Sequence, residues 1–261
     1  MIGYWREIKV GMIMVMDRNV ALITGGSRGI GAAAAKLLAA EGWAVAINYR
    51  ADKTAAEATA KAVEAAGGAA MIIQADTGVE ADVIRMFEAV DAEWGRLDAV
   101  VNNAGVVGPR GPFGKVTAAD IQHVLSVNVT GYMLCAQQAV SRMSTKSGGK
   151  GGGIINVSSG SAQQGGGGEQ ILYAASKGAV NSLTIGLSQE FGPVGIRVNT
   201  VSPGLTATDM PPQDKLDSAG PSIPLGRVGE AEEVAEGIVW LLSTKASYVA
   251  GAYLRISGGR P

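Results

Sequence analysis

Residues 18–31 read RNVALITGGSRGIG. The run 20–24 has three β-branched members, Val20, Ile23 and Thr24, and reads as a short buried strand. Gly25, Gly26, Gly29 and Gly31 follow at once, and then AAAAKLLAAEG, a sequence of strong helix formers. Strand, glycine turn and helix in immediate succession give a glycine-rich motif its weight. The glycines permit a tight turn and close backbone approach, and the helix N-terminus offers free N–H groups to a phosphate. The stretch therefore points to a dinucleotide site at the start of an α/β sheet. A βα turn without a ligand is the weaker reading of the same residues.

Strand and helix signals alternate from there on. Strands are expected at 45–49, 69–73, 97–101, 154–157, 196–201 and 253–256. Helices are expected at 53–66, 79–94, 118–143, 171–191 and 230–242, the second carrying Val83, Phe87 and Val90 at helical spacing. The loop 106–116 holds Pro109, Gly111, Pro112 and Gly114, and 203–228 is irregular and proline-rich, with one or two short helical pieces. Counting 20–24, this predicts seven parallel strands with helices on both faces, a doubly wound Rossmann-type α/β domain. Right-handed crossovers bring every strand's C-terminal end to one edge, where such sheets bind ligands. Gly25, Asp76, Asn102, Ser159 and Pro203 all follow strand ends.

Composition narrows the function classes. A length of 261 residues fits one large domain, and 47% apolar residues suffice for its core. A formal charge of −1, with no basic stripe, argues against nucleic acid and acidic membranes as partners. A lone cysteine, Cys135, excludes an intrachain disulfide framework, and with a lone histidine, His123, no metal site is expected. Both read as structural residues of the helix 118–143. Residues 1–17 stand apart as a poorly ordered or annealing arm, or as translation from an upstream start with Met14 or Met16 as the true beginning. Its apolar part is too short to span a membrane, so a cytoplasmic protein is expected.

The ordered set Thr24-Gly25-x-x-x-Gly29-Ile30-Gly31, Asn102-Asn103-Ala104-Gly105, Asn128, Ser159, Tyr173-x-x-x-Lys177 and Pro203-Gly204 with Thr208 resembles the short-chain dehydrogenase/reductase family. The resemblance covers residues 18–259. The stretch from Tyr173 to Gly204 looks most like bacterial glucose (sugar) dehydrogenases and 3-oxoacyl-carrier-protein reductases.

Tyr173 and Lys177 are four apart near a helix start and share a face. A lysine ammonium beside a phenol favours the phenolate, which suits proton exchange with a carbonyl or alcohol oxygen. The resemblance implies that Lys177 also holds the nicotinamide ribose, that Ser159 orients the substrate oxygen, and that Asn128 supports a water-linked proton path through Lys177. Ser159 and Tyr173 are fourteen apart, where the family usually has thirteen. Ser158 and Ser161 are the alternatives for the serine role. Gln163, Glu169 and Gln170 either line a pocket for a hydroxyl-rich substrate or sit on an exposed loop.

The same resemblance implies a cofactor site of Gly25, Ser27, Arg28, Gly29, Ile30 and Gly31. Asp76 and Thr77 would meet adenine, and Asn103, Ala104 and Gly105 would wall the adenosine. Pro203, Gly204, Thr206 and Thr208 would meet the carboxamide and pyrophosphate. Tyr49 stands where an NAD-selecting acid would be, and Arg50 follows it. With Arg28 this favours NADP over NAD, while Asp52 leaves some room for NAD. Residues 205–228 are expected to form a lid over an apolar or amphipathic substrate, a sugar, small ketone, β-keto acyl thioester or steroid. The lid has no arginine before Arg227, which argues against an anion clamp. Trp240 is expected to pack a helix against the sheet. Gly131, Ala136, Ala139, Ala174, Ala179 and Gly186 suit close helix contacts in a homotetramer, or they face the sheet. The leading function is an NADP-dependent carbonyl reductase or alcohol dehydrogenase. The alternatives are a non-catalytic nucleotide-binding protein and a redox-neutral isomerase or dehydratase.

Overall fold

The computed structural model describes residues 18–260. The expectations for 1–17, Trp5 included, lie outside them. Seven strands form one sheet: β1 (Val20–Ile23), β2 (Ala44–Tyr49), β3 (Ala69–Gln74), β4 (Ala99–Asn102), β5 (Gly152–Val157), β6 (Ile196–Pro203) and β9 (Tyr253–Ile256). Their order is β3-β2-β1-β4-β5-β6-β9, and every pairing is parallel. β1, β2 and β4 are buried along their whole lengths, as expected of strands covered on both faces. Helices α1 (Gly29–Ala40), α2 (Lys53–Ala65) and α9 (Ala231–Leu242) cover one face through Leu38, Val63 and Ile238. Helices α3 (Glu80–Trp94), α5 (Gly131–Met143) and α7 (Ile171–Phe191) cover the other through Phe87, Met143 and Phe191. The chain reverses its direction of travel across the sheet between β1 and β4, which opens a crevice at their C-terminal ends.

Three local expectations change. The predicted helix 118–143 is two helices, α4 (Ala118–Leu125) and α5, joined by a π-helical turn over Ser126–Thr130. A π turn takes up one extra residue and is common beside functional sites. Gly131 follows it because a Cβ there would lie 2.7 Å from the Thr77 carbonyl oxygen. That glycine, with the buried Ala136 and Ala139, faces its own chain, whereas Gly186 has open space beside it. Second, the irregular 203–228 stretch holds, besides the expected short helical piece, α8 (Gln213–Ala219), a two-residue strand, β7 (Thr206–Ala207), which pairs in parallel with β8 (Gly229–Glu230). Third, Trp240 is 42% exposed and does not pack against the sheet. The buried stripe of α9 runs through Val234, Ala235, Ile238, Leu241 and Leu242, and Trp240 falls off it. No helix among the described residues is long and apolar enough to cross a membrane.

Candidate active site

The glycine turn is held by side chains on β2 and just past the ends of β1 and β4. Gly25 N–H donates to Asn48 Oδ1 (3.1 Å), and Asn48, almost fully buried, also donates to the Ala75 carbonyl at 3.0 Å. Thr24 Oγ1 accepts from the N–H groups of Asn103 (3.0 Å) and Ala104 (3.1 Å), while Asn103 Nδ2 donates to the carbonyls of Thr24 and Gly25. A Cβ on Gly25, where φ is +60°, would lie 2.9 Å from Ala104 Cα, and one on Gly31 would lie 2.7 Å from Asn103 Nδ2. Ser27 is braced from α2, since Thr59 Oγ1 donates to its carbonyl at 2.9 Å. Arg28 precedes α1 without capping it through its side chain. The first-turn N–H groups of α1 therefore face the crevice without a side-chain cap, an arrangement that fits a dinucleotide pyrophosphate. Gly29 meets the lid here, because a Cβ on it would lie 3.1 Å from Thr208 Cγ2.

Tyr173 and Lys177 are both buried on the first turns of α7. The Tyr173 hydroxyl is hydrogen-bonded by Ser159. Ser158 is turned the other way, its hydroxyl donating to the Lys177 carbonyl at 3.2 Å, and Ser161 opens the short helix α6 (Ser161–Gln164). Between α6 and α7 the chain turns through Gly165, Gly166 and Gly168, all with positive φ. Gly166 is sterically required there, since a Cβ would lie 2.5 Å from the Gln170 carbonyl oxygen.

The electrostatics differ from the simple tyrosine–lysine expectation. Burial pushes the Tyr173 phenol above its ordinary range, opposed by the Ser159 hydrogen bond and the positive charge of Arg110. Burial also pulls the Lys177 amine down to about 7, so it is partly neutral near neutral pH and is a weak source of positive charge. Its Nζ donates to the Val157 carbonyl (2.8 Å) and to Tyr132 Oη (3.1 Å), and lies 4.9 Å from the centre of the Tyr132 ring and 5.9 Å from that of Tyr173. Asn128 is fully buried in the π turn. Its Oδ1 accepts from Val106 N–H (2.9 Å), and its Nδ2 donates to the Val106 carbonyl (2.9 Å) and Ser176 Oγ (3.0 Å). Its amide therefore locks loop 106–116 to α7 and makes no hydrogen bond to Lys177. Gly105 lies between them, with Asn128 Oδ1 3.4 Å and Lys177 Nζ 3.5 Å from where its Cβ would be.

At the end of β2, Tyr49 is buried while Arg50 and Arg28 project outward, each 58% exposed. Arg28 lies 3.1 Å from an Asp209 carboxylate oxygen and 3.9 Å from one of Asp52, and Arg50 lies 4.0 Å from Asp76. Asp52 is also committed to capping α2 through the Ala55 N–H. Thr77 is buried against Gly131. Pro203 ends β6, and Gly204 fits because a Cβ would lie 2.7 Å from Ser257 Cα. Thr206 Oγ1 donates back to the Gly204 carbonyl at 3.1 Å.

Ile30, Asn103, Gly105, Ser159, Tyr173, Lys177, Pro203, Gly204, Thr206 and Thr208 line one cavity of about 530 Å³ with Met210, whereas Arg28, Tyr49, Arg50, Asp76, Thr77 and Asn128 are not part of its lining. Glu169 and Gln170 line it as well, but Gln163 points away and is hydrogen-bonded to Arg255. Arg110, Lys215 and Arg260 also line the cavity, so the lid itself supplies a cation, Lys215, and two arginines reach the site from outside it. Tyr132 and Arg110 were not singled out from sequence. A tyrosine within an apolar helix reads as core, and an arginine in a glycine/proline loop carries no periodic signal. His123 is exposed on α4, outside the cavity lining, and Cys135 is buried with its thiol pushed up to about 12.

The comparisons agree with this architecture. A family model described as Enoyl-(Acyl carrier protein) reductase matches residues 25–260. The chain is 49% identical to an uncharacterized oxidoreductase of Escherichia coli, YgfF, over 92% of this chain and 99% of the relative. It is 35% identical to glucose 1-dehydrogenase 2 of Bacillus subtilis, over 92% and 94% of the two chains. It is 38% identical to the 3-oxoacyl-[acyl-carrier-protein] reductase of Synechocystis, over 94% and 97%. A Burkholderia cenocepacia short-chain dehydrogenase solved with NADP superposes with a TM-score of 0.86 at 37% identity, covering 92% of this chain and 97% of that one. A Brucella melitensis 3-ketoacyl-(acyl-carrier-protein) reductase solved with NADH does so at 0.87 and 33%, covering 93% and 98%. The chain belongs to the short-chain dehydrogenase/reductase family, and it is an oxidoreductase that binds a nicotinamide cofactor.

Proposed function

We propose that the protein moves a hydride between NADP and a carbonyl or secondary alcohol, with Tyr173 as the general acid and base. The observation that carries this reading is the Tyr173 hydroxyl, hydrogen-bonded to Ser159 in a cavity that reaches back to the glycine turn. A reduced nicotinamide, when bound, supplies the hydride that the carbonyl carbon accepts. Tyr173 gives its phenolic proton to the oxygen, and Ser159 donates a hydrogen bond to that same oxygen as negative charge develops on it. Its phenol is raised by burial, which suits a group that holds a proton until the oxygen needs it. Lys177 holds the ribose hydroxyls and accepts a proton from solvent near pH 7. Asn128 is a positioning residue that fixes the Val106 backbone against α7.

Arg28 and Arg50 support NADP over NAD, since a 2′-phosphate would replace the exposed Asp209 carboxylate beside Arg28 and the half-buried Asp76 carboxylate 4.0 Å from Arg50. A phosphate carries more charge than either carboxylate and accepts from both guanidinium groups. The stretch 205–228 serves as the lid, in a cytoplasmic homotetramer. Ile185, 53% exposed beside the open Gly186 on α7, supports an assembly face there.

The test is absorbance at 340 nm, with NADPH and NADH offered separately against ketones, aldehydes and acyl thioesters, alongside Tyr173→Phe and Arg28→Ala. Turnover is expected with NADPH, to fall at least a thousandfold in Tyr173→Phe, and to shift toward NADH in Arg28→Ala. Full activity in Tyr173→Phe would sink the mechanism, and a native preference for NADH would sink the cofactor assignment.

A further inference from the structure

Three cationic side chains from distant parts of the chain converge on the substrate side of the cavity. Arg110 comes from the loop after β4, Lys215 from α8, and Arg260 from the end of the chain beyond β9. The one carboxylate lining the same cavity among the described residues is Glu169. Arg110 and Lys215 both reach for it, with nitrogen–oxygen separations of 3.7 and 3.8 Å. Glu169 is 62% exposed, so these pairs are weak and exchangeable. Arg110 is held more firmly. In the orientation its donors require, the Gln170 amide oxygen accepts from both Arg110 terminal nitrogens, Nη2 at 3.0 Å. The Arg110 side chain is about one-third exposed and lines the same cavity as Tyr173, and its positive charge bears on the Tyr173 hydroxyl. Met210, Pro211 and Leu205 supply an apolar wall.

We propose that the cavity recognises a carbonyl or alcohol substrate that carries a carboxylate, with Arg110 and Lys215 as its anchors. Glu169 is the chain's own carboxylate in that clamp, and substrate displaces it. An amphipathic oxo or hydroxy acid matches the wall, with its carboxylate at Arg110 and its short apolar body against the lid. A carboxylate is favoured over a phosphate because Arg110 and Lys215 already converge on a single carboxylate, that of Glu169, whose place it would take. The inference rests on the oxidoreductase reading above and names the substrate class of that site.

The experiment compares matched pairs at pH 7: 4-oxopentanoate and 4-oxocyclohexanecarboxylate against their methyl esters, and dihydroxyacetone phosphate against dihydroxyacetone. The acids are expected to exceed their esters at least tenfold in kcat/KM, mostly through KM. Arg110→Gln should lower kcat/KM for the acids at least tenfold more than for the esters, with Arg110→Lys in between. Glu169→Gln should lower KM for the acids threefold or more. Esters equal to acids, an equal loss on both in Arg110→Gln, or a preference for the phosphate pair alone would overturn the proposal. Calorimetry of cyclohexanecarboxylate and its methyl ester with the NADPH-loaded protein separates the two layers. Reduction of uncharged ketones with no preference for acids defeats the clamp alone. Tighter binding of the acid, without turnover of any carbonyl compound, defeats the oxidoreductase reading and leaves the clamp standing.

Discussion

Lys177→Met should make the protein more stable and inactive, by an amount that depends on pH. The native amine is buried and pulled from its ordinary 10.5 to about 7. That displacement corresponds to about 5 kcal/mol of preference for the neutral form. Between pH 7 and 10.5 the unfolded chain holds a proton on this lysine that the folded chain has released, so its contribution to stability rises with pH across that window. Below pH 7 both states are protonated and the full penalty of the buried ammonium is present. Methionine removes that penalty and the two hydrogen bonds to Val157 and Tyr132, which offset about 1–3 kcal/mol of the gain. The Val157 carbonyl still accepts from Tyr132 Oη at 3.0 Å and is not orphaned. The variant should therefore gain roughly 2–4 kcal/mol at pH 6, about 5–15 °C in Tm for a domain of this size. The gain should shrink to nothing or reverse by pH 10. Urea unfolding at pH 6, 8 and 10, followed by tryptophan fluorescence at one protein concentration, measures it. A variant less stable than the parent at pH 6, or a difference independent of pH, would refute the reasoning. Stability rising while activity is lost is the usual signature of a residue kept for function.

Asn128→Ala should destabilise the fold by about 1–3 kcal/mol, because it strands the half-buried Val106 N–H and carbonyl. Urea unfolding checks this, and kcat should fall with it as the loop-to-α7 lock loosens. Cys135, 1% exposed with its thiol pushed up to about 12, should resist Ellman's reagent at pH 8 in the native protein and react fully in urea. Native reaction within minutes would place the thiol outside the core.

The seven-strand sheet was legible because each strand is a short apolar run and each helix has its own period, and parallel pairing follows from their alternation. The glycine turn was legible for a steric reason: Gly25 and Gly31 stand where a Cβ would collide with Ala104 and Asn103. The π turn was not. Ser126–Thr130 carries helix-compatible residues, and the extra residue is imposed by tertiary contacts at Asn128 and Gly131. β7 and β8 were missed because two residues make no pattern. Trp240 was misplaced by its size; the stripe through Val234, Ile238 and Leu241 would have put it outside.

The site shows why chemistry is harder to read than fold. Tyr173 and Lys177 were visible as a spacing, but their proton affinities belong to the packed interior, which raises one and lowers the other. What opposes the rise at Tyr173 comes from Ser159, across a glycine-rich loop, and from Arg110, more than sixty positions earlier. The helix carrying the pair is itself located by a buried polar chain: Asn102 donates to Asn156 (2.9 Å), Asn156 to Thr184 (2.9 Å), and Thr200 to Thr184 (2.7 Å). In sequence Asn156, Thr184 and Thr200 are ordinary polar residues in otherwise apolar segments, and Asn102 shows only as the head of the Asn-Asn-Ala-Gly stretch. In the fold they join β4, β5 and β6 to α7, and each buried bond costs more to break than it contributes when made. Hydrophobic layers alone would let α7 slide or turn on the sheet with little change in buried area. The polar chain ties α7 to one position on the sheet even though Asn102 Oδ1 is left without a partner, and that position sets Tyr173 within reach of Ser159.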